Sequence, residues 1–344
     1  MIDFATVDAR LRDATGRAFP AAQLIAVDHF SLVFERATGA CEPETLFDVA
    51  SLTKPLSTAT LAMMAIEEGA LALDDRPRPD VTVAELLTHS SGLPAWKLLG
   101  SSRAEVLRAV AAEPLVAAPG TIARYSDLGF ILLGFILEDA QPRTAAYVGA
   151  SGALDPARRL RAQFEWLARS VTVEPLAFNP PRAWRDRTAP TELDPWRGRL
   201  LVGEVHDENA WALGGAAGHA GLFGTVGAVG DFARAVLATI GGAPALARPE
   251  TMRRFMARGT VPGSSRALGW DTMLPTSSCG RTLSPSAIGH TGFTGTSLWI
   301  DHERDLYIVL LTNRIHPSRA NEQLRALRPR VHEAVVSAFD RHFR

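Results

Sequence analysis

A chain of 344 residues with 47% apolar and 21% charged side chains is long enough to bury a large core, and it has the balance of an ordinary globular protein. Its formal net charge of −1 gives no reason to expect nucleic acid or an anionic membrane surface as a partner. Cys41 and Cys279 are too few for a disulfide framework, and the longest apolar run, Leu128 to Leu137, is too short to span a bilayer. The start Met1-Ile2-Asp3-Phe4 lacks the basic and apolar pattern of a secretory signal, so a cytoplasmic location is expected.

Taken in chain order, residues 3–16 read as a short amphipathic helix. Residues 22–28 and 30–37, rich in Val, Ile and Phe, read as strands. Then comes Phe47-Asp48-Val49-Ala50-Ser51-Leu52-Thr53-Lys54-Pro55, followed by a run that is apolar almost all round (Leu56, Ala59, Met63, Ile66) and stops at Gly69. Helices are expected over 81–88 and 103–112, with Ser90-Ser91-Gly92-Leu93-Pro94 as a loop, and a buried helix over 128–138. Residues 141–158 are small and polar, a surface excursion. Residues 177–215, with many Pro, Trp and Arg, read as a long irregular segment. A helix near 229–240 follows. Thr296–Asp301 and Leu306–Thr312 form a hairpin, and the tail from Ser318 to Phe339 is helical with a kink at Pro329.

This order implies an α/β (α+β) fold: a mixed antiparallel sheet built from both termini and flanked by helices, with a mostly helical lobe inserted. The lobes are placed at 1–60 plus 260–344 and at 61–259, with a cleft where they meet.

Ser51 and Lys54 carry the first chemical signal. Three residues apart at the start of a helix, they share one face, so the amine can exchange a proton with the hydroxyl. Such a serine needs an adjacent base to act as a nucleophile. The structural alternative is a helix cap followed by a surface lysine, but here the lysine enters a buried helix and requires a partner. Tyr125, in Arg124-Tyr125-Ser126-Asp127, is a phenol able to shuttle a proton between Ser51 and a leaving group. In His290-Thr291-Gly292-Phe293-Thr294-Gly295 a glycine on a strand lets substrate lie against the backbone, and the amides of Phe293 and Ser51 can form an oxyanion hole. Thr88 to Pro94 reads as structural. His206 and His219 are conceivable metal ligands, but no third ligand lies at helpful spacing, and no metal is expected.

With S-x-x-K, then a Tyr-x-x motif, then x-Thr-Gly in this order, the chain from about Phe47 to Pro317 resembles the serine β-lactamase and penicillin-binding-protein superfamily. It is most similar to the branch of class C-type β-lactamases, D-alanyl-D-alanine carboxypeptidases and family VIII-type esterases. Val205 to Ala210, Gly218 to Phe223 and Leu311 to Arg314 also look like elements of that branch, with no chemical role assigned. The resemblance implies Ser51 as acylated nucleophile, Lys54 as its proton partner, Tyr125 as general base and acid, and Asp127, His290, Thr291 and Gly292 as substrate-binding residues. It implies no cofactor, and a small-molecule ester or amide as the reacting partner.

Two positions depart from the family pattern. Where the family has Asn in Y-x-N, this chain has Asp127, which when ionised only accepts hydrogen bonds and would hold Lys54 protonated. Where the family has Lys in K-T-G, this chain has His290, mostly neutral at pH 7. Both changes weaken recognition of carboxylated amides, and neither removes the acylating groups. The expectation is therefore an esterase-like serine hydrolase, with a β-lactamase, a peptidoglycan amidase or a silent penicillin-binding sensor as alternatives.

Overall fold

The computed structural model describes residues 4–28, 31–140 and 156–343. Helix α1 (Ala5–Ala14) buries Val7, Leu11 and Ala14, a spacing of four and three that lines one helix face. Strands β1 (Ala21–Asp28) and β2 (Ser31–Gly39) pair antiparallel. β1 is buried along nearly its whole length, whereas β2, at the sheet edge, carries Glu35 and Arg36 and is half exposed. A two-residue strand, β3 (Phe47–Asp48), leads into the Ser51 segment and α2 (Thr60–Glu67).

The middle of the chain is mostly helical. It holds α3 (Val83–Leu87), α4 (Arg103–Ala112), α5 (Asp127–Asp139) and α6 (Pro156–Val171). α3 opens on a capping box between Thr82 and Glu85. The segment read as irregular contains only short pieces: β4 (Leu176–Phe178), a 3₁₀ stretch at Arg182–Arg187, the small hairpin β5 (Leu193–Asp194) with β6 (Arg199–Leu200), and α7 (Glu208–Ala212). β7 (Leu222–Gly224) then pairs with β3 and β4. α8 (Val226–Ile240) and α9 (Pro249–Met256) follow. Three of these helices, α6, α7 and α9, are absent from the expected elements. Most of the expected excursion, residues 141–155, lies outside the described residues.

Strands β8 (Asp271–Thr272), β9 (Ile288–Thr291), β10 (Ser297–Asp301) and β11 (Leu306–Thr312) complete an antiparallel sheet in the order β2-β1-β11-β10-β9-β8. Both termini thus feed one sheet, with β1 next to β11. The tail helix, α10 (Gln323–Phe343), starts five residues later than expected and runs through Pro329. The Asn321 side chain accepts the Gln323 amide, and the residues before it form a loop.

Helices cover both faces of the sheet. On one, α1 and α10 pack Leu11, Val331, Val335 and Phe339 around Leu24, Trp299 and Leu310. On the other, α8 lies against β1 and β11, with Gly230 close to Ile25 and Tyr307, and this core continues into α2 and α5. Among the described residues no helix is long and apolar enough to cross a membrane.

Candidate active site

The Ser51 segment is not the regular helix that the spacing suggests. A tight 3₁₀ turn (Ala50–Leu52) passes into a wide π turn (Lys54–Ala59) before the α-helical stretch begins at Thr60. Pro55, which has no N–H to give, sits at the head of that π turn. Ala50 takes a φ of +49°, a conformation costly for a residue with a Cβ. It is held there because its N–H donates to Asp48 Oδ1 at 2.8 Å, while Asp48 Oδ2 accepts the His206 amide at 2.8 Å. Ser51 is thereby presented on a strained turn with a rigid support.

Lys54 is fully buried, and its ammonium finds an acceptor for each of its hydrogens. These are Ser51 Oγ at 2.9 Å, Asp127 Oδ1 at 2.6 Å and the His219 carbonyl at 3.0 Å. Burial alone would lower its pKa, but the Asp127 carboxylate and Tyr125 outweigh that and raise it. The lysine therefore rests as a cation.

Tyr125 reaches the same serine from the loop before α5, and its hydroxyl donates to Ser51 Oγ at 2.8 Å. The Thr88–Pro94 segment supports this loop. His89 Nδ1 accepts the Ser126 amide, the His89 carbonyl accepts the Arg124 amide, and Ser126 Oγ bridges the Pro94 carbonyl and the Gly129 amide that starts α5. Burial and the Asp127 charge raise the Tyr125 pKa, and the nearby Lys54 ammonium and Ser51 only partly oppose this.

The end of β9 packs onto the same turn. Thr294 Oγ1 donates to the Asp48 carbonyl and Thr296 Oγ1 to that of Val49, clamping the β9–β10 connection onto the Ser51 turn. Gly292 is required here, since a methyl group would sit 2.1 Å from Thr296 Oγ1 and 2.5 Å from the Val49 carbonyl oxygen. The backbone of Gly292 and Phe293 is thus fixed beside that of Ala50 and Ser51. The Phe293 ring stacks on His206 at 5.6 Å under the Arg314 guanidinium. His290 is buried, donates from Nδ1 to the Thr291 carbonyl, and is kept neutral by burial and by the charges of Lys54 and Arg266.

Ser51, Tyr125, Asp127, His290, Thr291, Gly292 and Phe293 all line one cleft of about 540 Å³, with Lys54 in its floor. Every site residue expected from the sequence is therefore in one place.

The β-lactamase family profile matches residues 7–331. The chain belongs to the β-lactamase family. Within that family, a protein from Escherichia coli provisionally named D-alanyl-D-alanine carboxypeptidase is 28% identical over 89% of this chain and 81% of its own. A class C β-lactamase of known structure superposes with a TM-score of 0.72 at 17% identity, over 97% of this chain and 99% of that one. EstCE1, a hydrolase with promiscuous acyltransferase activity, superposes with a TM-score of 0.73 at 19% identity, over 97% and 98% of the two chains. These superpositions speak for the fold.

Several residues of this β-lactamase-family cleft were given no role by the sequence. Trp96, Asp207, Arg266, Arg314, Arg319, Arg325 and Arg328 also line it. Arg266 lies over the Tyr125 ring at 5.3 Å. Arg328 did leave a trace in the sequence: it stands four residues after Leu324 and three before Val331, on the buried side of α10. His206 and His219 each pair with a carboxylate, His206 Nε2 with Glu192 at 2.8 Å and His219 Nε2 with Asp207 at 2.6 Å.

Proposed function

We propose that this β-lactamase-family protein is a serine hydrolase that acylates Ser51 with a small ester. The observation that carries the reading is that one oxygen, Ser51 Oγ, accepts from both Lys54 Nζ at 2.9 Å and Tyr125 OH at 2.8 Å. Its own hydrogen is then left to face the cleft. As Oγ attacks the substrate carbonyl, the serine hydroxyl turns to Tyr125, which takes up its proton while passing its own phenol proton to the leaving alcohol, so that Tyr125 stays neutral throughout. The amides of Ser51 and Phe293 hold the oxyanion, and water completes the turnover.

Two features favour esters over amides. Asp127 is bound to Lys54 as an acceptor and offers no donor to a substrate amide carbonyl. His290 is neutral and gives no fixed charge to a substrate carboxylate. A second reading, an amidase on carboxylate-bearing substrates, has its own support. Arg314, Arg325 and Arg328 line the cleft, and the buried Nε of Arg328 has no hydrogen-bond partner. The provisional name of the E. coli relative points the same way.

Comparing kcat/KM on p-nitrophenyl butyrate, nitrocefin and a D-alanyl-D-alanine peptide, with Ser51→Ala as control, separates them. The ester should be preferred by roughly tenfold or more, the worth of one good hydrogen bond. An equal or faster rate on the β-lactam or peptide would replace the ester reading with the second one.

A further inference from the structure

His219 does more than accept a hydrogen bond from Lys54. Its side chain is 1% exposed and lines the cleft, and its Nε2 lies 2.6 Å from Asp207 Oδ1. Asp207 is itself fixed: Oδ1 accepts the Ala210 amide at the start of α7, and Oδ2 accepts from Trp96 Nε1 at 3.4 Å. Pairing with His219 holds Asp207 well below the usual carboxylate range despite its burial, so it is ionised and can only accept. The Nε2 of His219 must then carry the hydrogen between them. In the neutral imidazole Nδ1 then keeps its lone pair, and Nδ1 is a buried atom with no hydrogen-bond partner.

A buried imidazole nitrogen left unpaired costs free energy unless something fills it. The surroundings say what. The His219 carbonyl is 3.0 Å from Lys54 Nζ, which is 2.9 Å from Ser51 Oγ, so the His219 backbone sits beside the nucleophile and both residues line the same cleft. An imidazole oriented by a carboxylate, with its other nitrogen free, is the arrangement of a general base. The other proton carriers are poorly poised for this. Lys54 is held as a cation by Asp127, and Tyr125 has a raised pKa.

We propose that Asp207 and His219 form a second proton-handling pair that activates the water releasing the acyl group from Ser51. This rests on the acyl-enzyme reading above. A water molecule donates to His219 Nδ1 and attacks the acyl carbon. Its proton moves to Nδ1, the imidazolium being balanced by Asp207. The tetrahedral adduct collapses with cleavage of the bond between carbon and Ser51 Oγ. The proton then passes back to that oxygen, leaving the free acid and the starting enzyme. The assignment also gives the segments Val205 to Ala210 and Gly218 to Phe223 a shared purpose, since each supplies one partner.

The test is pre-steady-state hydrolysis of p-nitrophenyl butyrate by wild type, His219→Gln and Asp207→Asn, with folding checked by circular dichroism. Asparagine still caps α7, so the second variant carries the test if the first does not fold. Each variant should keep its acylation rate within a few-fold and release a burst of one p-nitrophenol per site, then deacylate roughly 10²-fold or more slowly. Hydroxylamine, a nucleophile that needs no base, should restore deacylation in both. Parallel loss of acylation and deacylation without rescue would show that His219 only props Lys54, and unchanged deacylation would show that it does nothing; either result overturns the proposal. Failure of wild-type Ser51 to react with a fluorophosphonate would instead overturn the acyl-enzyme reading on which it rests.

Discussion

Lys54 Nζ and Asp127 Oδ1 lie 2.6 Å apart, with the lysine side chain 0% and the aspartate 16% exposed. This pair sets the protonation of the whole centre. With its carboxylate partner the lysine stays charged, and the site gives up the amide donor that an asparagine would place at position 127. The replacement Asp127→Asn removes a charge that raises the pKa of both Lys54 and Tyr125, so the alkaline rise in kcat/KM moves to lower pH. It should also raise the ratio of nitrocefin to p-nitrophenyl butyrate turnover by about tenfold, the worth of one good hydrogen bond. Steady-state rates on both substrates from pH 6 to 10 measure this. A ratio that stays the same or falls would show that the missing donor does not set the preference.

The second prediction concerns the close approach of Gly292 to the Ser51 turn. Gly292→Ala forces a methyl group against the Val49 carbonyl and Thr296 Oγ1. The β9–β10 connection must then move away, carrying the Phe293 amide with it. Urea unfolding should show a loss of about 1–3 kcal/mol, and kcat/KM on the ester should drop roughly 10²-fold. A variant with wild-type stability and turnover would mean that the backbone of residues 292–293 is not part of the reacting surface.

A third prediction concerns pH and stability. His332 on α10 is completely buried, and burial, with a smaller contribution from Arg328, pushes its pKa from 6.5 down to about 3. A base whose pKa is depressed by folding binds fewer protons in the native than in the unfolded state. Stability therefore falls as the pH drops below 6.5, and the loss continues to about pH 3. Between pH 7 and pH 5 this one group costs about 2 kcal/mol. His332→Gln should flatten the fall by that amount in urea titrations at the two pH values. Equal slopes in wild type and variant would rule the group out as a source of acid sensitivity.

Much of the centre was legible because it is written in residue types at fixed spacing. Ser51, Lys54 and Tyr125 carry their chemistry in side chains, and a lysine entering a buried helix demands a partner. What stayed hidden depends on backbone or on distance. The His219 carbonyl that takes the third Lys54 hydrogen leaves no signature in residue type, and its imidazole gains meaning only when Asp207 is seen to cap α7 beside it.

The fold was read in the same uneven way. The sheet strands from both ends stood out as apolar runs. β9 did not, because Gly289 and His290 are poor strand formers that are buried here by neighbouring strands, with Gly289 pressed against the Trp299 ring. Helix α6 was missed because its buried residues, Leu160, Phe164, Leu167 and Ala168, are separated by arginines and glutamate that make the stretch look polar. The regular helix expected at Ser51 gave way to 3₁₀ and π turns, with Pro55 at their junction and the nucleophile on the strained side.

The account is tested most directly by rapid quenching with p-nitrophenyl butyrate followed by mass spectrometry of the intact protein and its peptides. A single butyryl group should appear on the peptide holding Ser51, and Ser51→Ala, folded as wild type, should show neither the adduct nor turnover. An adduct on another residue, or wild-type turnover in Ser51→Ala, would contradict it.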